Sequence, residues 1–255
     1  MKDTKKNAYE PGTPEITPGL HIDITADGPY LVWGKIPIRQ VFIMPNDEGN
    51  SWTYKASAHP YETGEDPVAL CRCGHSKRKP YCDGSHAQAD DWDPTLTAPH
   101  RPLLADAETI EGPTMNLTDN ERYCAFARFC DAYGRVWNLT EASDDPKARE
   151  IAVYEANHCP AGRLKAWDKE SGRPYELETG PEINLVEDPA IGCSAGLWVR
   201  GGIPVTDAGG YTYQVRNRVT LCRCGQSSNK PFCDGTHASM KFRDGLPHEP
   251  DGEEF

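Results

Sequence analysis

The sequence predicts an α+β protein in which two small β-rich, cysteine-bearing repeats form a pseudo-symmetric unit with a helical insert between them. Three observations predict it. A sixteen-residue cysteine pattern occurs twice. Blocks of β-branched and aromatic residues lead into each copy and read as short strands. The stretch between the copies carries helix-start signals instead.

The first pattern runs Cys71-Arg72-Cys73-Gly74-His75-Ser76-Lys77-Arg78-Lys79-Pro80-Tyr81-Cys82-Asp83-Gly84-Ser85-His86, and the second runs from Cys222 to His237. Both read C-x-C-x8-C-x3-H, and 11 of the 16 aligned residues are identical. Upstream, Gly34-Lys35-Ile36-Pro37-Ile38 answers Gly201-Gly202-Ile203-Pro204-Val205. Trp52-Thr53-Tyr54 answers Tyr211-Thr212-Tyr213, and Val68-Ala69-Leu70 answers Val219-Thr220-Leu221. The offset shrinks along these blocks, so the first copy carries longer loops around a kept core. These features divide the chain into a first repeat over 15–95, a central segment over 105–190 and a second repeat over 191–245. A sheet of about three strands buries too little to stand alone. The two copies are therefore expected to pack against each other within one chain, as a monomer with an internal pseudo-dimer.

In the central segment, Thr118-Asp119-Asn120-Glu121 has the form of a capping box, and the spacing predicts a helix from there toward Gly134. Asp145-Pro146 opens a second helix that ends before His158-Cys159-Pro160. Cys124, Cys130 and Cys159 follow the ligand order of small ferredoxins, with Ala127 where a further cysteine would stand. On a continuous helix Cys124 and Cys130 would lie about 9 Å apart along the axis and roughly 120° apart around it. That geometry opposes a shared cluster and favours free thiols, as for Cys193.

Composition sets limits on function. The 255 residues include 22 Pro and 23 Gly with 37% hydrophobic content, which fits turn-rich modules. No apolar run reaches the roughly 18–20 residues that cross a bilayer, and Met1-Lys2-Asp3-Thr4-Lys5-Lys6 is not followed by a secretory core. A cytoplasmic protein is expected. A net charge of −12 argues against nucleic acid and anionic membranes as partners. Ten cysteines without an export signal do not read as a disulfide framework, and the six in the two matching patterns read as metal ligands.

Thiolates and imidazole suit zinc or iron–sulfur clusters alike, and a Cys3His set is a sound zinc site. To bring Cys71 and Cys73 together the chain must curl, and Gly74 allows it. Cys82 and His86, four apart, meet on one helical turn. Ser85 and Thr236 are placed to donate toward a sulfur or a backbone group, and Asp83 and Asp234 to receive backbone N–H groups.

The pattern C-x-C-x2-(S/T)-x3-P-x-C-D-G-(S/T)-H resembles the CDGSH (mitoNEET-like) iron–sulfur family at every position in both copies. The resemblance implies two [2Fe–2S] clusters. Cys71 and Cys73 would hold one iron and Cys82 and His86 the other, with Cys222, Cys224, Cys233 and His237 repeating the arrangement. It implies electron transfer or cluster delivery to an acceptor protein. A zinc-stabilised interaction module and an electron-relay subunit of an oxidoreductase are the alternatives. Histidine in place of a fourth thiolate makes such a cluster easier to reduce and, because imidazole must be neutral to bind, sensitive to acid. The basic Lys77-Arg78-Lys79 run leads to the expectation that the first cluster outlasts the second as pH falls. No dinucleotide, phosphate-loop or metallohydrolase motif appears, so no catalytic residue is assigned. Gly192-Cys193-Ser194-Ala195-Gly196 satisfies G-x-S-x-G but runs into a strand, against a hydrolase elbow. Trp33, Trp52 and Trp198 are expected to fill the core.

Overall fold

The structure is a computed structural model and describes residues 17–64, 66–247 and 250–255. The N-terminal residues read above for a leader, and the start of the first repeat at 15, lie outside the described residues.

Twelve strands form three sheets among the described residues. The first sheet orders β11 (Val205–Thr206), β1 (His21–Ile24), β2 (Tyr30–Trp33) and β5 (Val68–Leu70). The second orders β12 (Arg218–Leu221), β10 (Cys193–Arg200), β9 (Glu182–Asp188), β3 (Ile38–Pro45) and β4 (Ser51–Ala56). Each half of the chain begins with an antiparallel hairpin, β1–β2 or β9–β10, whose second strand then pairs with β5 or β12. The strand that follows each hairpin crosses over. β3 lies parallel to β9, and β11 lies parallel to β1. Each half thus completes the other's sheet. β9 falls inside 105–190, yet its pairing is with β10 and β3.

The sequence explains how each strand sits. β1 alternates polar and buried residues, as expected with one face on the core, whereas β9 and β10 are buried almost throughout. Both faces of the second sheet are covered. One face joins Ile22, Tyr30 and Leu70 from the first sheet with Leu185, Leu197 and Leu221 in a continuous core. The other packs Val41, Tyr54 and Trp198 against Ala127 and Phe129 of the central segment. Trp198 is buried as expected, but Trp33 and Trp52 are only half-buried. Trp33 donates to Asp23, and Trp52 stacks on Tyr154.

The central segment is a three-stranded antiparallel sheet, β6 (Glu108–Glu111), β7 (Met115–Asp119) and β8 (Leu164–Asp168), with helices α1 (Val136–Glu141) and α2 (Pro146–His158). Helix α2 starts as expected at its Asp145 cap, which accepts from the Lys147 amide, and runs one residue past the expected end, through His158. The helix expected from Thr118 does not form. Thr118 and Asp119 end β7, paired with β6 and β8. Phe126 and Arg128 take positive φ, and Arg128 is anchored by two hydrogen bonds to Asp188. Sheet pairing and this half-buried ion pair outweigh local helix propensity. The result is a loop with two short 3₁₀ turns, Glu121–Tyr123 and Phe129–Asp131. No described helix is long and apolar enough to cross a membrane.

Candidate functional site

Each cysteine motif hangs from the end of a strand. β5 delivers Cys71 and β12 delivers Cys222. The Cys71 amide then bonds to the Pro80 carbonyl and the Cys82 amide to that of Ala69, folding the motif back along the strand. The same bonds recur from Cys222 to Pro231 and from Cys233 to Thr220. Ser76 and Ser227 close the loops by donating to the carbonyls of Tyr81 and Phe232. Gly74 and Gly225 turn at φ 85° and 82°, which brings each C-x-C pair onto one side.

The donors stand in two pairs per motif. Cys71 and Cys73 have Sγ atoms 3.7 Å apart, as do Cys222 and Cys224. Cys82 Sγ lies 3.5 Å from His86 Nδ1, and Cys233 Sγ lies 3.4 Å from His237 Nδ1. Short helical turns, Ser85–Gln88 and α3 (Thr236–Ser239), make these second pairings. All ten cysteines are free. Among the described residues no three His, Cys, Asp or Glu side chains converge on a single-ion site.

Asp83 and Asp234 receive the expected backbone groups. Asp83 accepts the amides of Lys77 and Ser85, and Asp234 those of Ser228 and Thr236. The Thr236 hydroxyl donates to Asp234 rather than to a sulfur, since that carboxylate is the stronger acceptor within reach. Hydrogen bonding, first from the Ser85 side chain, holds Asp83 far below the usual carboxylate range. The neighbouring thiol lowers Cys71 to about 5 and Cys222 to about 7, against the effect of burial, while Cys73 and Cys224 are pushed up.

The two motifs differ in exposure. Cys222, Cys224, Cys233 and His237 are all buried, His237 at 1%, with no described hydrogen-bond partner for its Nε2. Cys82 and His86 are half-buried, and Lys77 and Arg78 beside them are exposed. His75 is exposed and pairs with Asp91, as expected of a surface residue. The motifs touch back to back: a Cβ on Gly74 would meet the Cys224 carbonyl at 2.6 Å. The second motif also touches the central loop, where a Cβ on Gly235 would come within 3.1 Å of Phe126 and 3.3 Å of the Cys124 carbonyl.

That central loop brings together what the helical reading separated. Cys124, Cys130 and Cys159 line one small cavity with Ala127 and Arg163. Cys124 and Cys130 also reach an adjoining cleft of about 400 Å³. Burial raises the pKa of both thiols. Cys193 lies apart, in a pocket with Asp188 and Arg243. Three soft donors around one cavity suit a cluster with three cysteine ligands. The signal was present in the ligand order; helix propensity obscured it. The arginines inside both C-x-C pairs went unread, although their identity in the two copies marked them.

Residues 27–87 and 195–238 match the family model described as iron-binding zinc finger, CDGSH type, and residues 110–169 match the divergent 4Fe-4S mono-cluster model. Neither a curated protein nor a solved structure shows a significant match. The class these sites define is an iron–sulfur protein. More particularly, two regions matching the CDGSH type lie on either side of one matching the divergent 4Fe-4S mono-cluster model.

Proposed function

We propose that the chain holds two [2Fe–2S] clusters, one on Cys71, Cys73, Cys82 and His86 and the other on Cys222, Cys224, Cys233 and His237, and that it carries electrons. The observation that carries this reading is the grouping of each donor set into two pairs, Sγ with Sγ and Sγ with Nδ1, at matching distances in both motifs. Two pairs suit a pair of irons, whereas a structural zinc draws four donors around one ion. The reciprocal strand crossing supports treating the two repeats as one pseudo-symmetric unit, an internal counterpart of a dimer. Contact between the motif loops, and between the second motif and the central cysteine loop, favours passage of electrons within the chain.

The residues Cys124, Cys130 and Cys159 are proposed to hold a third cluster, of the three-iron type or a four-iron type lacking one cysteine. The half-exposed Cys82 and His86 favour a second role for the first site, handing its cluster to an acceptor protein. The partner in either role is a protein in a reducing compartment such as the cytoplasm. Nothing in the chain's chemistry assigns it a substrate of its own.

Iron and acid-labile sulfide counts with a visible spectrum test the reading. The two motifs account for about four of each per chain, and the central site adds a further share that Cys124→Ser removes. Colourless protein with stoichiometric zinc would sink it.

A further inference from the structure

The arginine between the first two cysteines of each motif is buried, and the two copies are neutralised differently. Arg72 is 3% exposed and donates only to backbone carbonyls: Nε to Gly28, Nη1 to Pro94, and Nη2 to Thr25 and Ala26. Its guanidinium lies 4.9 Å from the centre of the Trp92 ring. Among the described residues no carboxylate forms an ion pair with it. Asp27 and Asp93, next in the chain to its carbonyl partners Ala26, Gly28 and Pro94, are exposed and therefore screened by water.

Arg223 is 5% exposed and is bound by two carboxylates as well as two carbonyls. Its Nη2 donates to Glu187 at 2.7 Å, and its Nη1 pairs with Asp244. Both acids are themselves buried, Glu187 at 0% and Asp244 at 7% exposure. Asp244 alone cancels the Arg223 charge, and Glu187 makes the surroundings more negative whenever it is ionised. The first motif therefore has a buried positive charge, Arg72, with no carboxylate partner among the described residues, and the second has no such charge.

We propose that this difference orders the two CDGSH sites: an electron given to the chain rests on the first, with the second as the harder site to reduce. The inference rests on the cluster reading above. Reduction adds one electron, and hence one negative charge, to a site without making or breaking a bond. In a low-dielectric setting a fixed positive charge next to that site favours the added charge, and a neutralised one does not. Greater exposure at Cys82 and His86 acts in the same direction, since water also stabilises added charge. The resting site is thus the one with the open edge, beside Lys77 and Arg78, from which a partner can take the electron.

The test is a dithionite titration of the intact chain with redox mediators, followed by electron paramagnetic resonance. His86→Cys alters the first site's signal and so assigns it. Apart from any step of the central site, which Cys124→Ser removes, the two CDGSH sites are expected to reduce in separate steps, the first before the second with at least a tenfold preference, which is a gap of about 59 mV for a one-electron couple. Asp244→Asn and Glu187→Gln should each raise the second step and leave the first in place. Should those variants fail to fold, Arg72→Met should lower the first step. A single common midpoint, the reverse order, or steps unmoved by any foldable variant would overturn the inference. A chain with no iron or sulfide would overturn the cluster reading and this inference with it, and the counts tell that failure from the others.

Discussion

Gly74→Ala and Gly84→Ala make a pair in which backbone strain is matched and tertiary contact is not. Both glycines have φ 85°, so a side chain in this left-handed region costs each about 1–2 kcal/mol. Nothing lies within 4 Å of a Cβ built on Gly84, whereas one on Gly74 would stand 2.6 Å from the Cys224 carbonyl. Clearing even 3.0 Å requires the two motif loops to part by 0.4 Å, the difference between those two distances. Forced shifts of packed backbone cost about 1–3 kcal/mol. Gly84→Ala should then lose about 1–2 kcal/mol, and Gly74→Ala about 2–5 kcal/mol. The assay is urea unfolding of the cluster-loaded chain by far-ultraviolet circular dichroism, with visible absorbance followed in parallel. Gly225→Ala, which meets the Cys73 carbonyl from the other side, should behave like Gly74→Ala. Equal losses for Gly74→Ala and Gly84→Ala would refute the contact between the motifs.

Acid should bleach the first site before the second, because His86 and Cys82 are half-exposed while His237 is 1% exposed. This reverses the order expected from the basic run, whose Lys77 and Arg78 are solvated and screened. Absorbance against pH for His86→Cys and His237→Cys measures it, and simultaneous bleaching would contradict it. Glu155 is 0% exposed and burial raises it to about 7 from an ordinary 4.5. The folded chain then holds a proton that the unfolded chain has released, so stability should fall as pH rises from about 4.5 to 7 and level off above. The loss is at most about 3 kcal/mol, and Glu155→Gln should abolish it in unfolding curves taken across that range. Finally, a fragment of residues 191–255 lacks β9, the partner of β10 in its sheet, and β3 beyond it. It should unfold or self-associate, which sedimentation would report, and a stable cluster-bearing monomer would be the contrary result.

The two cluster motifs were legible because their geometry is local. Sixteen residues hold every donor, and Gly74, Gly84 and the serine at the loop entry bend that short segment with few distant partners. Helix α2 was legible for the same reason, since Asp145 and Pro146 are a local start signal. The sequence by itself thus marked the candidate donors and the repeat, and its family resemblance pointed to the iron–sulfur class. Tertiary structure decided what depends on residues far apart in the chain. It crossed β3 and β11 between the halves, because parallel pairing with β9 and β1 completes sheets that neither half can close alone. It opened the segment after Thr118 into a loop, because Arg128 finds Asp188 sixty positions away, and so gathered Cys124, Cys130 and Cys159. It also separated two arginines with identical flanking cysteines, Arg72 facing carbonyls and Arg223 facing Glu187 and Asp244. Charge balance in a buried site is set by whichever strands pack around it, and no spacing within a motif encodes that.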